Sequence, residues 1–152
     1  MAWIGAAKAP AAGCIFCDAW STDDDRGRLV LVRTTHAFLI LNAYPYASGH
    51  LMIALKRHVG AVTEPAVDEL ADAMALVQRG VAALGAEYRP DGYNIGVNQG
   101  AAAGAGIADH LHIHVVPRWN GDANFMSTVG ETRVLPETLD RTWERLRSRL
   151  HG

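Results

Sequence analysis

Short runs rich in apolar and β-branched residues recur along this chain and predict β-strands, and the run between Asp109 and Pro117 alternates strictly, as in a strand whose two faces differ. Five runs rich in apolar and β-branched residues predict strands, at residues 29–33, 37–42, 50–56 and 93–98 and between Asp109 and Pro117. Stretches rich in Asp, Pro, Gly or Asn separate them, notably residues 21–28 and 42–49, and predict turns and loops. Residues 119–126 predict an irregular polar segment.

Two further segments have the three- and four-residue spacing of amphipathic helices. Residues 64–84 predict a long helix, with Thr63 as the N-cap, Pro65 in the first turn and Gly85 as the stop. We expect its apolar stripe to consist of Val67, Leu70, Ala71, Met74, Val77 and Val81. Residues 136–150 predict a C-terminal helix with several arginines, which either reaches a neighbouring active site or presents a solvated face.

The elements follow one another as strands, a helix, two strands and a second helix, joined by short connections. This order favours an antiparallel α+β sheet over a parallel βαβ fold. A length of 152 residues and a hydrophobic fraction of 49% predict a single domain over residues 1–152 with its own core. Residues 1–13, rich in Ala and Gly, are expected to form a loose lead-in.

Charge and hydropathy argue against several classes of partner. With 14 basic and 16 acidic residues, the net charge of −2 predicts no broad attraction to nucleic acid. No apolar stretch approaches the ~20 residues of a membrane span, and the N-terminus lacks the basic and apolar segments of a signal peptide. We therefore expect a cytoplasmic protein that acts on neither nucleic acids nor membranes.

Three histidines occupy alternate positions of the fifth predicted strand, which reads His110-Leu-His112-Ile-His114-Val-Val-Pro. Side chains two residues apart lie on the same strand face, roughly 6.6 Å from each other. The three imidazoles therefore point one way, and the apolar residues between them point into a core. Histidine acts near neutral pH as nucleophile, proton carrier or metal ligand. The alternative, an exposed polar strand face, would be served as well by Thr, Lys or Glu.

A glycine-rich loop at residues 99–106 directly precedes the histidine run. Such loops expose backbone N–H groups and let a phosphate approach closely. The loop is not a P-loop, because no Gly-Lys-Ser/Thr follows, and not a dinucleotide fingerprint, because it leads into a strand. Beside three aligned histidines, phosphate binding explains the loop better than a flexible hairpin does.

The two cysteines, Cys14 and Cys17, are separated by two residues. In a reducing compartment this spacing favours a metal-binding or redox element over a structural disulfide. The alternative is a pair of reduced thiols, one of them packed in the core.

The histidine run resembles the His-x-His-x-His-x-x motif, with x apolar, of the nucleotide hydrolases and transferases called histidine triad (HIT) proteins. The resemblance covers roughly residues 14–126 and includes the cysteine pair, residues 42–50, residues 56–58 and the glycine-rich loop. Residues 117–126 are most similar to the diadenosine polyphosphate phosphorylase or hydrolase branch. The family implies a HIT-like antiparallel sheet of about five strands with one long central helix and a C-terminal helix.

The resemblance implies a nucleotidyl-transfer mechanism. His112 would attack the α-phosphorus and form a covalent nucleotidyl-histidine, while the backbone carbonyl of His110 holds its other ring nitrogen. His114 would stabilise charge on the phosphate and help to protonate the leaving group. Water or inorganic phosphate would then release the nucleotide. The implied phosphate-binding residues are Asn98, Gln99, Gly104, Gly106 and His114.

The glycine-rich loop departs from the family pattern in two respects. It lacks the Ser or Thr that members often carry a few residues before the triad, and it is one residue longer than usual. Whether Asn98 or Gln99 faces the phosphate is therefore left open.

The resemblance also implies a nucleoside pocket, in which Asn42 bonds ribose hydroxyls and apolar side chains enclose a purine. Its expected members are Phe16, Ile40, Leu41, Asn42, His50 and Met52. Plain core packing is the alternative for the apolar members, and a role in the turn is the alternative for Asn42.

Some HIT relatives close a structural zinc site with a histidine after the central strand and with the first triad histidine, which here are His58 and His110. Together with Cys14 and Cys17 these residues form a Cys₂His₂ set that suits tetrahedral zinc. Family members also usually pair through the sheet edge and the long helix, so we expect a homodimer.

The leading functional hypothesis is phosphorolysis or hydrolysis of a dinucleoside polyphosphate of the diadenosine tetraphosphate type. One alternative is a phosphoramidate hydrolase that releases a nucleoside monophosphate, and another is a nucleotide-binding module without turnover. Residues 119–126 favour the first hypothesis over the second, and the intact His112 argues against the third.

Overall fold

An antiparallel sheet of five strands is the centre of the computed structural model, which describes residues 13–130 and 135–152. In chain order the strands are β1 (Val30–Arg33), β2 (Ala37–Leu41), β3 (Leu51–Leu55), β4 (Gly92–Val97) and β5 (His112–Arg118). Their order in the sheet is β1-β2-β3-β5-β4, and each neighbouring pair is antiparallel. The predicted lead-in at residues 1–13 lies outside the described residues, apart from Gly13.

Within the described ranges, four α-helices accompany the sheet. They are α1 (Ile15–Trp20), α2 (Val67–Tyr88), α3 (Phe125–Thr128) and α4 (Leu139–His151). Helix α2 covers one face of the sheet, α1 packs on the opposite face, and α4 lies beside α2 and β1. The predicted α+β class, with a long central helix and a C-terminal helix, is confirmed. Helices α1 and α3 were not predicted, because six and four residues are too few to show a helical period.

Helix α2 begins later than the sequence predicted. Its N-cap is Ala66, not Thr63, and Pro65 lies before the helix, not in its first turn. The Glu69 carboxylate accepts the Ala66 N–H at 2.7 Å and so satisfies a donor at the helix start. The Glu64 carboxylate accepts the N–H groups of residues 60 and 61, which makes a separate turn of residues 60–64.

The end of α2 also differs from the prediction. The helix passes through Gly85 and stops at Tyr88, with Arg89 in the left-handed conformation at φ 48°. Gly85 remains helical and packs on Tyr93, whose hydroxyl would lie 3.3 Å from a Cβ at that position. Gly85 therefore allows the close approach of Tyr93 and does not stop the helix.

The buried face of α2 is not the predicted apolar stripe. Val67 and Met74 are 84% and 50% exposed, although Val77 is buried as expected. The residues that face the sheet combine large side chains such as Leu76 with small ones, and a Cβ at Gly80 would lie 2.9–3.0 Å from methyl groups of β2 and β3. The buried positions are Glu69, Ala73, Leu76, Val77, Gly80, Ala83 and Leu84. The buried face is therefore rotated from the predicted stripe, with Val77 buried and Val81 packed against the core as predicted.

Helix α4 is bound to its own chain. Trp143 donates from Nε1 to the Val30 carbonyl at 2.9 Å, and Arg147 donates to the Leu31 carbonyl at 2.9 Å. Arg145 forms ion pairs with Glu137 and with Glu87 of α2. The two predicted alternatives for the C-terminal helix, a solvated face or contact with a neighbouring active site, therefore omit what these side chains do, which is to bind α4 to β1 and α2.

Candidate functional site

His112 is held in a defined orientation at the start of β5. Its Nδ1 lies 2.8 Å from the carbonyl oxygen of His110, and this contact requires a proton on Nδ1. Burial lowers the pKa of His112 below its ordinary value, so the ring is neutral at physiological pH. Its Nε2 then carries a lone pair, and the ring packs against Phe16 with centroids 4.9 Å apart.

Hydrogen bonding with His50 holds His114 in the tautomer opposite to that of His112. The Tyr46 backbone N–H donates to His50 Nδ1 at 3.1 Å, so that nitrogen carries no proton. His50 Nε2 must then carry the hydrogen, and it lies 2.9 Å from His114 Nδ1. His114 Nδ1 therefore accepts, which leaves the proton of the neutral His114 ring on Nε2.

The two strand histidines thus present different nitrogens side by side. Their ring centroids are 4.9 Å apart, with an unprotonated Nε2 on His112 and a protonated Nε2 on His114. Burial and the adjacent His112 lower the pKa of His114 to about 4. The pair can supply a nucleophile and a hydrogen-bond donor at the same pH.

His110 is separated from this pair in role and in position. It precedes β5, because the Leu111 N–H donates to the Val59 carbonyl at 2.6 Å before strand pairing begins. The prediction that all three histidines lie in one strand is therefore correct only for His112 and His114.

The glycine-rich loop forms a tight turn between β4 and β5. Residues Ala101–Ala103 make one turn of 3₁₀-helix, and Gly100 and Gly104 flank it at φ 82° and 83°. These positive φ angles strongly favour glycine. A side chain would meet no atom within 4 Å at Gly104 or Gly106, so the space beside both residues is open.

Asn98 and Gln99 have different surroundings. Asn98 lines a cavity together with His114. The Gln99 side-chain oxygen accepts the Val62 N–H at 2.8 Å. Of the two candidates left open by the sequence, Asn98 shares the space beside the histidine pair.

A cavity of about 1030 Å³ opens beside His114. Tyr46, Asn94 and Trp119 are among its lining residues, and the turn that carries Trp119 is fixed by ion pairing. Arg118 donates to both oxygens of Asp122 at 2.7 and 2.9 Å, and Asp122 also accepts the Trp119 N–H at 3.1 Å. The sequence marked residues 119–126 as a distinctive segment, but it did not predict this cavity.

The predicted nucleoside group is divided between the two faces of the sheet. Phe16, Ile40 and Met52 are buried together on the α1 face, next to the histidines. Leu41 is buried in the core on the α2 face, which corrects its assignment to the pocket. Adjacent strand residues point to opposite faces, so Ile40 and Leu41 could not both line one pocket.

Asn42 and His50 lie in the loop before β3 and at its end. The Asn42 side-chain oxygen accepts the Tyr44 N–H at 2.9 Å, as expected of a turn residue. His50 is buried behind His114. Contacts of Asn42 and His50 with a nucleoside remain predictions.

Cys14, Cys17, His58 and His110 converge on one point, with their ligand atoms all within 4.8 Å of one another. The His110 Nδ1 lies 3.3 Å from Cys14 Sγ, 3.6 Å from Cys17 Sγ and 3.2 Å from His58 Nδ1. A tetrahedral metal with ordinary zinc bond lengths holds its ligand atoms about 3.3–3.8 Å apart. These distances fit a tetrahedral metal.

The protonation state of His110 also fits a metal ligand. Its Nε2 donates to the Leu55 carbonyl at 2.7 Å. Burial lowers its pKa to about 4, so the ring is neutral and its Nδ1 directs a lone pair at the cluster. Such a second hydrogen bond is the usual way in which a metal-binding histidine is oriented.

Known proteins with a similar sequence or structure share the architecture described above. The HIT domain family model matches residues 26–121. A zinc-bound histidine triad family protein from Mycobacterium smegmatis has a similar structure, with a TM-score of 0.73 and 27% identity over 93% of this chain and 95% of that chain.

Two curated relatives differ in what their names describe. An AP-4-A phosphorylase of Mycobacterium tuberculosis is 40% identical over 127 residues, which is 84% of this chain and 65% of the relative's length. This chain thus spans slightly less than two thirds of that relative. An adenosine 5'-monophosphoramidase of Schizosaccharomyces pombe is 26% identical over 137 residues, 90% of this chain and 98% of the relative.

The described helices were also compared with the requirements of a bilayer. None of those in residues 13–130 and 135–152 has both the length and the apolar character needed to cross a membrane.

Proposed function

This chain belongs to the histidine triad (HIT) family, and from that premise we propose that it cleaves dinucleoside polyphosphates by nucleotidyl transfer to His112. The observation that carries the proposal is the opposite tautomers of two neighbouring histidines, of which His112 is buried and His114 is half-buried. An unprotonated Nε2 on His112 is a nucleophile, and a protonated Nε2 on His114 is a donor for phosphate and leaving group.

The first step transfers a nucleotidyl group to the protein. His112 Nε2 attacks the α-phosphorus, a nitrogen–phosphorus bond forms, and the bond from that phosphorus to the bridging oxygen breaks. For diadenosine tetraphosphate the leaving group is ATP, and the enzyme retains AMP on His112. His114 Nε2 hydrogen-bonds the departing phosphate, and the His110 carbonyl stabilises the positive charge that develops on the His112 ring.

The second step releases the nucleotide. Inorganic phosphate attacks the same phosphorus and yields ADP, or water attacks and yields AMP, and in both cases the His112 nitrogen is the leaving group. The 40% identical AP-4-A phosphorylase supports phosphate as the acceptor. We place the transferred phosphate between the histidine pair, Asn98 and the backbone of Gly104 and Gly106.

The cavity beside His114 supports a two-nucleotide substrate. The transferred nucleoside is proposed to lie outside this cavity, and the volume of about 1030 Å³ leaves ample room for the second nucleotide. Tyr46 and Trp119 offer aromatic surface, and Asn94 offers a polar group. A phosphoramidate with a small leaving group would use less of this space, so the cavity favours dinucleoside polyphosphates over that alternative.

The nucleoside of the transferred nucleotide is proposed to lie on the α1 face of the sheet, near Phe16, Ile40 and Met52. Asn42 and His50 border this region, and Asn42 has a side-chain amide that can bond ribose hydroxyls. Leu41 is excluded, because its side chain lies on the α2 face.

Zinc is the proposed occupant of the Cys14, Cys17, His58 and His110 cluster, whose distances and donor types fit it. When bound, the metal supplies a structural cross-link. It would fasten the start of α1 to the residue whose carbonyl orients His112.

A homodimer is the proposed assembly, with a second copy of the chain covering the β4 edge and the outer face of α2. Strand β4 is at the edge of the sheet, and Ile95 and Val97 on it are 49% and 40% exposed. Val67 and Met74 are exposed on α2. An unpaired edge strand with apolar side chains is ordinarily covered, and sedimentation at micromolar concentration would detect the dimer or, as a contrary result, a monomer.

Product analysis tests the proposed reaction. The protein is incubated with diadenosine tetraphosphate, with and without inorganic phosphate, beside a His112→Asn control. Phosphate-dependent formation of ADP and ATP supports phosphorolysis, and AMP with ATP supports hydrolysis. Turnover of adenosine phosphoramidate alone would favour the alternative enzyme, and AMP binding without any turnover would favour a binding module.

A further inference from the structure

Residues 59–62, which we call the brace, lie between β3 and α2 and contact the start of the glycine-rich loop and the segment between the loop and β5. At the start of the loop, the Val62 N–H donates to Gln99 Oε1 at 2.8 Å. Beyond its end, the Gly60 backbone approaches so closely that a Cβ there would lie 3.0 Å from the Ala108 carbonyl oxygen. The Val59 carbonyl accepts the Leu111 N–H at 2.6 Å.

The brace is itself fixed at the approach to α2. The Glu64 carboxylate accepts the N–H groups of Gly60 and Ala61 at 3.0 and 2.8 Å. Arg57 donates to the Glu64 carbonyl at 3.0 Å and forms an ion pair with Glu69 in the first turn of α2. The brace therefore has a rigid support that does not depend on the loop.

The loop has only short-range bonds of its own around its 3₁₀ turn. The N–H groups of residues 103 and 105 donate to the Gly100 carbonyl, and the N–H of residue 104 donates to the Ala101 carbonyl. These bonds shape the turn but do not fix its place relative to the sheet. Glycine-rich backbone loses much conformational entropy when it is ordered, so a connection to a fixed segment matters here.

We infer that Gln99 is a positioning residue, which acts through Val62 to hold the glycine-rich loop in the shape that receives the substrate phosphate. This inference rests on the proposed function, because it takes the loop to be the phosphate site. Gln99 uses its side-chain oxygen on the brace, and Asn98, beside His114, is left to face the phosphate. Without the Gln99–Val62 bond the loop would become ordered only when substrate binds, and the entropy lost in that ordering would weaken affinity.

This role predicts a separation of binding from chemistry. His112 and His114 are placed by pairing of β5 with β3, through Ala54 and Met52. A change at Gln99 leaves this pairing intact and also leaves the Val59–Leu111 bond intact, because Gln99 meets the brace at Val62. Gln99→Leu keeps the size of the side chain and removes the acceptor. It should raise KM for diadenosine tetraphosphate and Kd for AMP about three- to tenfold, the effect of one exposed hydrogen bond, and change kcat less than twofold.

The free protein distinguishes positioning from direct phosphate contact. In Gln99→Leu without ligand, the amide signals of Gly104 and Gly106 should shift and Val62 N–H should exchange faster. Gln99→Glu, which keeps an acceptor oxygen, should restore slow Val62 exchange. Arg28→Leu, at an exposed residue beside β1 and therefore at the opposite edge of the sheet from β4, is the control and should change none of these quantities.

Gly60→Ala is a second variant, and it changes the contact between the brace and Ala108. Its added methyl group would press on Ala108 and should raise KM with little change in kcat. If the wild type binds nucleotide and both Gln99→Leu and Gly60→Ala bind it with unchanged affinity, the inference is overturned and the proposed function stands. Unaltered loop signals in free Gln99→Leu, despite weaker binding, would instead make Gln99 a direct phosphate ligand. Failure of the wild type to bind or cleave nucleotides would refute the proposed function, and the inference with it.

Discussion

His50 Nε2 lies 2.9 Å from His114 Nδ1, and this contact decides which nitrogen of His114 carries the proton. The Tyr46 N–H donates to the other nitrogen of His50. His50 must therefore be the donor to His114 in this pair of hydrogen bonds. His50 thereby acts on the reaction from behind the histidine pair, in a buried position.

His50→Phe tests this arrangement. The ring keeps its approximate shape but loses both hydrogen bonds, so His114 no longer favours the tautomer that donates from Nε2. We expect kcat to fall on the order of 100-fold, within the range of acid–base contributions, while KM changes much less. Steady-state kinetics measure kcat and KM, and circular dichroism checks that the variant folds. A kcat within threefold of wild type would contradict the role of His50 in setting the tautomer of His114.

The pH profile should reflect the low pKa values of the two histidines. Burial and the adjacent His112 lower the pKa of His114 to about 4, and burial lowers that of His112. Both rings are therefore neutral in the free enzyme at neutral pH, so kcat/KM should show no titration at the ordinary histidine value. It should fall at more acidic pH, where His114 is protonated near its pKa of about 4 and protonation of His112 removes the nucleophile.

The measurement is kcat/KM between pH 4 and 8, with each sample returned to pH 7 to verify that the loss is reversible. An acidic limb centred near 6.5, the ordinary value for histidine, would show that the pair is not desolvated in solution.

Metal removal should destabilise the fold. Chelation, or His58→Asn, opens the cross-link between α1 and the segment before β5, and we expect the Tm to fall by roughly 5–15 °C. Elemental analysis should find one zinc per chain in the wild type. Thermal unfolding of matched samples provides the test, and a metal-free preparation with full stability and activity would rule out the proposed site.

Glu69 gives stability a specific acid dependence. Its hydrogen bonds with Arg57 and with the Ala66 N–H lower its pKa from 4.5 to about 2. A carboxylate whose pKa is lower when folded binds fewer protons in the folded state, so its contribution is complete above about pH 4.5 and is lost as pH falls toward 2. Urea unfolding should therefore show a decline in stability across this window that Glu69→Gln reduces. Equal declines in wild type and variant would contradict this assignment.

Much of the fold could be predicted from local patterns, because short apolar runs bounded by turn residues correspond to the buried strands β2 and β3. The buried face of α2 could not, since it includes Gly80 and other small residues beside its leucines, while the apolar Val67 and Met74 are exposed. Similarly, Leu41 was grouped with Ile40 although neighbours in a strand face opposite sides.

The candidate site was predictable to the extent that its residues lie close in sequence. The orientation of His112 depends on the carbonyl two residues earlier and follows from the motif. The tautomer of His114 depends on His50, 64 residues away, and on the pairing of β3 with β5 that brings them together. The Gln99–Val62 bond likewise joins segments 37 residues apart. Such contacts require the tertiary structure.

Trapping the nucleotidyl enzyme tests the central claim most directly. The protein is mixed with diadenosine tetraphosphate in the absence of inorganic phosphate, quenched within milliseconds to seconds, and examined by intact-mass and peptide mass spectrometry. The account predicts one AMP group on His112, absent from His112→Asn and released as ADP when phosphate is added. Full turnover without an adduct at any time, or an active His112→Asn protein, would contradict it.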